Sequence, residues 1–171
     1  MDFSIQNTIN RAAGRSFEDL IDESLKFYYE RGYGSIEKTP EPMRVLRQNA
    51  DKSTFTAVYT KKAQPDYKGV LLGGQAIIFE AKHTKNDRIQ QTAVSIEQEK
   101  IFERYQKMGA QCFVMVSLKG MDFFRVPWSV WKNMKSIYGH KYMTETELEK
   151  YRIKYKQVLL LLEGIELKEY I

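Results

Sequence analysis

Three residues carry the clearest chemical possibility in this chain. They are Asp66, Glu80 and Lys82, within "PDYKGVLLGGQAIIFEAK" at 65–82. Charged side chains avoid half-buried strands unless something compensates them. Two carboxylates that meet beside a backbone carbonyl, that of Ala81, form an oxygen-rich site suited to Mg²⁺ or Mn²⁺. A lysine next to them can orient or help deprotonate a water, or stabilise charge on a phosphate. A metal ion there would polarise a phosphoryl oxygen and help to generate hydroxide. The chemistry implied is phosphodiester hydrolysis. The bland reading is that the three charges sit harmlessly at a sheet edge.

The elements must decide between these readings. The stretch predicts a β-hairpin turning near Gly73-Gly74. Alternate side chains of a strand share a face, so Glu80, Lys82 and Ile78 point one way and Ile77, Phe79 and Ala81 the other. A two-residue turn sets Asp66 opposite Ala81, on the wrong face. A three-residue loop sets it opposite Glu80, and a bulge near Pro65 would also correct the parity. Convergence therefore requires an irregularity that the sequence permits without imposing.

Around the hairpin the predicted order is α, several β, α, ββ, α, α, β, an α/β fold with a central mixed sheet. Phe17, Leu20, Ile21, Ser24, Leu25 and Tyr28 follow helical spacing, and "RGYG" at 31–34 ends that helix. A short strand follows near Ser35–Lys38. Residues 86–109 read as a polar loop leading into a helix with Val94, Ile101, Phe102, Tyr105 and Met108 mostly on one face. "AQCFVMVSL" and "MDFFRVPW" read as strands, "WSVWKNM" as a short helix, "TETE" as a capping box, and "KQVLLLLEGIEL" as a last strand. Between the prolines of "TPEP" and Pro65, residues 43–64 hold Arg44, Arg47, Lys52, Lys61 and Lys62 against one acid, Asp51. They read as a basic two-stranded excursion, with a solvated loop as the alternative.

The 171 residues suit one domain, 1–171, with 43–64 as an insertion. The net charge of +5 mildly favours an anionic partner. The single cysteine, Cys112, lies in an apolar run and reads as a buried inert thiol, so no disulfide framework is expected. No apolar run approaches the roughly 20 residues of a membrane span, and "MDFSIQNTINR" has no signal-peptide core. A cytoplasmic protein with no membrane partner and no organic cofactor is the expectation. His83 and His140 read as surface or locally hydrogen-bonded residues. Trp128, Trp131, Phe123 and Phe124 read as core. "LLGG" lacks the ending of a phosphate loop.

The whole chain resembles the RecU family of Holliday junction resolvases, within the PD-(D/E)XK nuclease superfamily. The matching pieces are "NRAAGRSFEDLI", "YYERGYGSIEKTPEP", "PDYKGVLLGGQAIIFEAKHTKN", "IEQEKI", "GAQCFVMV" and "MKSI", in family order over roughly 10–137. The resemblance implies a restriction-endonuclease-like core with a protruding basic stalk at 43–64. It implies metal-binding carboxylates at Asp66 and Glu80, a catalytic lysine at Lys82, a first-helix acid at Glu18 and a helix glutamine at Gln98. It implies DNA contacts at Arg11 and Lys38, and the stalk's Arg44, Arg47, Lys61 and Lys62 are candidates for phosphate contacts. It implies a symmetric homodimer acting on four-way junction DNA in recombination and repair. The chain departs from the family pattern at Glu41 in place of Thr, at Glu97-Gln98 in place of His-Gln, at Pro65 in place of Thr, and in a shortened stalk. Two alternatives stand beside this reading: another endonuclease of the superfamily, restriction-type or nicking, and a non-catalytic junction-binding recombination modulator. The intact Asp66, Glu80 and Lys82 set argues against the second.

Overall fold

A computed structural model describes residues 16–50, 53–59 and 64–167. Its centre is a five-stranded mixed sheet. The strands are β1 (Gly34–Lys38), β4 (Tyr67–Leu71), β5 (Ala76–Thr84), β7 (Gln111–Leu118) and β8 (Asp122–Pro127), in that spatial order. Only the β5–β7 pair is parallel. The connection between those two contains the helix α2 (Ile96–Lys107), as a parallel crossover requires.

Helix α1 (Phe17–Glu30) covers one face. Ser16 caps it reciprocally with Asp19, and its buried stripe is Phe17, Leu20, Ile21, Ser24, Leu25 and Tyr28, the residues the periodicity predicts. They pack on Ile77, Phe79, Phe113 and Tyr67. Tyr67, Phe79 and Phe113 stack across three strands with centroids 4.7 and 4.9 Å apart. The opposite face carries Ile78, Val114, Val116 and Phe124 beneath Phe102, Trp128 and Trp131 of α2 and α3 (Trp128–Lys132). The tryptophans and phenylalanines are thus core, as expected. α4 (Met134–Tyr138) and a ribbon of β6 (Arg88–Gln90) with β9 (Tyr142–Thr144) complete that layer.

Three sequence expectations change. "KQVLLLLEGIEL" is not a sheet strand: β10 (Tyr155–Lys156) and β11 (Val158–Leu159) pair only with each other, and a turn follows at 161–164. The backbone of this run is satisfied instead by α1, where Ser24 Oγ accepts the Leu159 N–H (2.8 Å) and the Tyr28 hydroxyl donates to the Leu159 carbonyl (3.4 Å). Met108 does not join the buried stripe; it lies at the C-cap of α2 and is 82% exposed. β6 is a strand within the stretch expected to be a polar loop, and its partner β9 falls where no element is expected, because three-residue strands are too short to show an alternation. The "TETE" box holds: Thr144 caps α5 (Glu145–Leu148), and a 3₁₀ turn runs on to Tyr151.

The basic excursion forms a two-stranded antiparallel ribbon, β2 (Met43–Gln48) and β3 (Phe55–Tyr59), separate from the main sheet. Its register shifts between Val45 and Arg47, so Arg44 pairs with Val58 and Arg47 with Thr56. Arg44 and Arg47, three apart, would point to opposite faces of a regular strand; the extra residue places both on the Thr56–Val58 face.

Candidate active site

Asp66 and Glu80 meet because of the hairpin loop. Tyr67 pairs with Phe79 and Lys68 with Ile78, and the Leu71 N–H donates to the Gln75 carbonyl (2.8 Å). The loop is therefore three residues, Leu72 to Gly74, with Gly73 and Gly74 at φ of 85° and 82°. This backbone favours glycine. The register carried one residue further sets Asp66 opposite Glu80, with no bulge at Pro65.

At that position the two acids lock each other's strands. Glu80 Oε2 accepts the Asp66 N–H (3.0 Å), and Asp66 Oδ2 accepts the Ala81 N–H (2.9 Å). Ala81 thus contributes its N–H to this lock. The Lys82 ammonium donates to Glu80 Oε1 (2.6 Å), as does the Gln98 amide from α2 (2.7 Å). Gln98 is also the third residue of α2, and its Oε1 accepts the Ser95 N–H in a capping box. With its oxygen used at the cap, the amide can only present its N–H₂ to the carboxylate. Gly69 permits the close approach of β1 behind this hairpin: a Cβ there would lie 2.1 Å from the Ser35 carbonyl oxygen. Just past the end of β1, the Thr39 N–H donates to the Asp66 carbonyl (2.7 Å).

Glu80 is 1% exposed. Burial first, and the Asp66 charge second, push its carboxyl up to about 7, against the opposing pull of Lys82 and Gln98. Two carboxylates facing one ammonium leave an excess of negative charge in a buried place. An oxygen-seeking divalent cation would compensate it, so the donor set fits such an ion. Among the described residues no group of three or more His, Cys, Asp and Glu side chains gathers as a metal cluster. Further donors would be backbone or water oxygens. Thr39 Oγ1 is, among the described residues, a buried side-chain oxygen with no protein partner. Buried polar atoms of that kind commonly hold a water.

The other expected site residues are placed differently. Glu18, on α1, is on the face of the sheet opposite Gln98. It pairs with Lys38 and lines a cavity of about 280 Å³ with Ala81 and His83. Lys38 is thereby engaged, and its ammonium is held above its usual range chiefly by the hydrogen bond to Glu18. Arg44 and Arg47 are exposed on the ribbon. Arg11, Lys61 and Lys62 lie outside the described residues. His83 Nδ1 lies 3.4 Å from Ser117 Oγ, and His140 Nδ1–H donates to the Tyr142 carbonyl (2.9 Å).

The sequence reading missed Asp22, which accepts from the Tyr67 hydroxyl (2.9 Å), next in the chain to Asp66. Burial first, then this bond, raise the Tyr67 phenol. Its spacing was a usable signal, since Asp22 lies one helical turn after Glu18 on the same side of α1.

The family model described as "Recombination protein U" matches residues 12–166. The chain belongs to the RecU family. The Holliday junction resolvase RecU of Geobacillus kaustophilus (strain HTA426) is 28% identical over 151 residues, spanning 81% of this chain and 73% of that protein. That of Streptococcus sanguinis (strain SK36) is 35% identical over 88 residues, 49% of this chain and 42% of that one. A solved Holliday junction resolvase from Archaeoglobus fulgidus superposes with a TM-score of 0.48 at 12% identity, covering 78% of this chain and 92% of its own. The RecU match encloses Asp66, Glu80, Lys82 and Gln98 together with the elements that position them.

Proposed function

We propose that this RecU-family chain is a metal-dependent endonuclease that resolves four-way DNA junctions by paired symmetric nicks, on a restriction-endonuclease-like core. The observation that carries the reading is the meeting of Asp66, Glu80, Lys82 and Gln98 at one hairpin end, within the span the family model matches. A purely DNA-binding protein has no use for two carboxylates gathered where phosphate must approach.

Asp66 and Glu80 would hold a divalent ion, Mg²⁺ or Mn²⁺. When bound, the ion supplies Lewis-acid polarisation of the phosphate and a lowered pKa for a bound water. The protein does the rest. Gln98 and Lys82 fix Glu80 from two sides, so the carboxylate is oriented before substrate arrives. Lys82, with a side chain 24% exposed, reaches the rim, as does part-buried Asp66, whereas Glu80 and Gln98 are buried. There Lys82 can orient the attacking water and stabilise the charge that grows on the phosphoryl oxygens. In the reaction the water oxygen bonds to phosphorus, one P–O ester bond breaks, and the leaving oxygen takes up a proton.

The test uses a labelled immobile four-way junction and a matched linear duplex, in Mg²⁺ and in Mn²⁺, with Asp66→Ala beside the unaltered chain. Paired symmetric nicks on the junction alone, absent with Asp66→Ala, are expected. Equal cutting of the linear duplex would instead favour a general endonuclease, and binding without cutting would leave a structure-specific binder.

A further inference from the structure

A second polar cleft lies beyond the acid pair, on the same side of the sheet. Its volume is about 710 Å³, and Asn86, Arg88, Tyr142, Thr144 and Thr146 are among its lining residues. Asn86 is four residues past Lys82, so at most about 14 Å of extended chain separates them. The walls come from the β6–β9 ribbon, paired Arg88↔Thr144, Ile89↔Met143 and Gln90↔Tyr142. Ile89 and Met143 are buried in the same core as Ile78, which shares the strand face of Glu80 and Lys82. Alternation therefore turns Arg88, Gln90, Tyr142 and Thr144 outward.

Arg88 is exposed, and an aromatic stack supports it. Its guanidinium lies over the Tyr142 ring at 4.9 Å, and that ring stacks on His140 at 3.8 Å with 9° between planes. His140 is tied in turn to the Tyr142 carbonyl (2.9 Å) and lies 3.3 Å from Glu147. Among the described residues no carboxylate pairs with Arg88. An arginine held over an aromatic ring, with no hydrogen bond from its N–H fork among the described residues, is placed for a bidentate phosphate oxyanion. Two acids also border the cleft. Glu145 is neutralised by Lys119 (3.0 Å), whereas Asp87 carries an opposing charge next to Arg88.

We propose that Arg88, supported by Tyr142 and His140, clamps a backbone phosphate of the DNA strand a few nucleotides from the cleaved bond. The contact gives affinity and registers the strand on Lys82; it does not read sequence. The inference rests on the DNA-cleaving reading above and names a contact that the acid pair does not supply.

The test scans the phosphates around the cut with single neutral methylphosphonates. Junction binding is measured in Ca²⁺, with Asp66→Ala as the background so that no strand is cut. With Arg88 intact, one substitution a few nucleotides from the cut should weaken binding about fivefold. With Arg88→Ala added, sensitivity at that one phosphate should vanish, overall affinity should fall by about the same factor, and the salt slope should drop by about one. Arg88→Lys should keep the slope while losing part of the affinity, and Asp87→Asn should tighten binding. A partly unfolded variant would lower affinity at every phosphate equally and would not mimic loss at one. An unchanged interference map and salt slope in Arg88→Ala would overturn the clamp. If the unaltered chain neither binds nor cuts junctions, the underlying reading fails instead, so the two failures are distinguishable.

Discussion

At Glu80, burial and the Asp66 charge hold the carboxyl up to about 7, well above an ordinary glutamate. The folded chain then binds this proton more tightly than the unfolded chain does. Stability from this group is fully present below about pH 4.5, is lost as pH rises to about 7, and stays low beyond, a change on the order of 3 kcal/mol in the metal-free protein. Glu80→Gln removes that penalty. Its melting temperature without metal should match the parent near pH 5 and exceed it by several degrees at pH 8, while junction cleavage is abolished. Parallel melting curves across that range would show it, and a constant difference would refute it. Gln98→Glu makes a complementary case. Glutamate keeps the capping box but loses the amide donor to buried Glu80, so the metal-free protein should lose about 2 kcal/mol or more near neutral pH. It also sets a third carboxylate beside Glu80 Oε1, where an amide donor now stands at 2.7 Å. Cleavage should fall at least tenfold, and its pH profile should move upward.

Elements set how close these residues come. Gly69 lets β1 pair closely with β4 where any side chain would meet the Ser35 carbonyl. Gly69→Ala should cost at least about 2 kcal/mol in chemical denaturation, because the obstruction is backbone rather than a movable side chain. It should also loosen the Thr39–Asp66 contact and lower cleavage in the protein that remains folded. The β2–β3 ribbon makes its own prediction. Its bulge gathers Arg44 and Arg47 on one face, and both are exposed. As phosphate contacts they should contribute to the salt dependence of junction binding. Changing both to alanine should reduce the slope of log affinity against log salt by about two. Adding changes at Lys61 and Lys62 should reduce it further. An unchanged slope would remove the stalk from the DNA interface.

At the scale of the molecule, one chain carries one Asp66–Glu80 pair, whereas symmetric resolution needs two strands cut together. The proposed function therefore requires two copies, and a homodimer brings two sites into a fixed relation. Light scattering at the concentrations that cut junctions should report twice the mass of the 20.1 kDa chain. Mixed dimers of the unaltered chain with Asp66→Ala should leave singly nicked junctions. Full resolution by such mixtures would argue that one copy suffices. Among the described residues no helix is long and apolar enough to cross a membrane.

Local patterns in the sequence determined much of this. The stripe of α1, the cap at Thr144, the core tryptophans and the alternation that puts Glu80 and Lys82 on one face all depend on neighbours within a few residues. The acid, Glu-x-Lys pattern and the family likeness pointed to the candidate site by the same short-range information. What the tertiary structure decided were relations between distant segments. The three-residue loop, rather than the equally readable two-residue turn, fixed a parity that local propensity leaves free, and so brought Asp66 to Glu80. The packing of α1 turned Glu18 to Lys38, on the face away from Gln98, and gave Asp22 to Tyr67. The leucine run at 158–162 has a strand's composition, yet α1 satisfies its backbone with Ser24 and Tyr28, so it packs on the core without joining the sheet. Residue types set which chemistry was available; strand register and packing set which of those residues met.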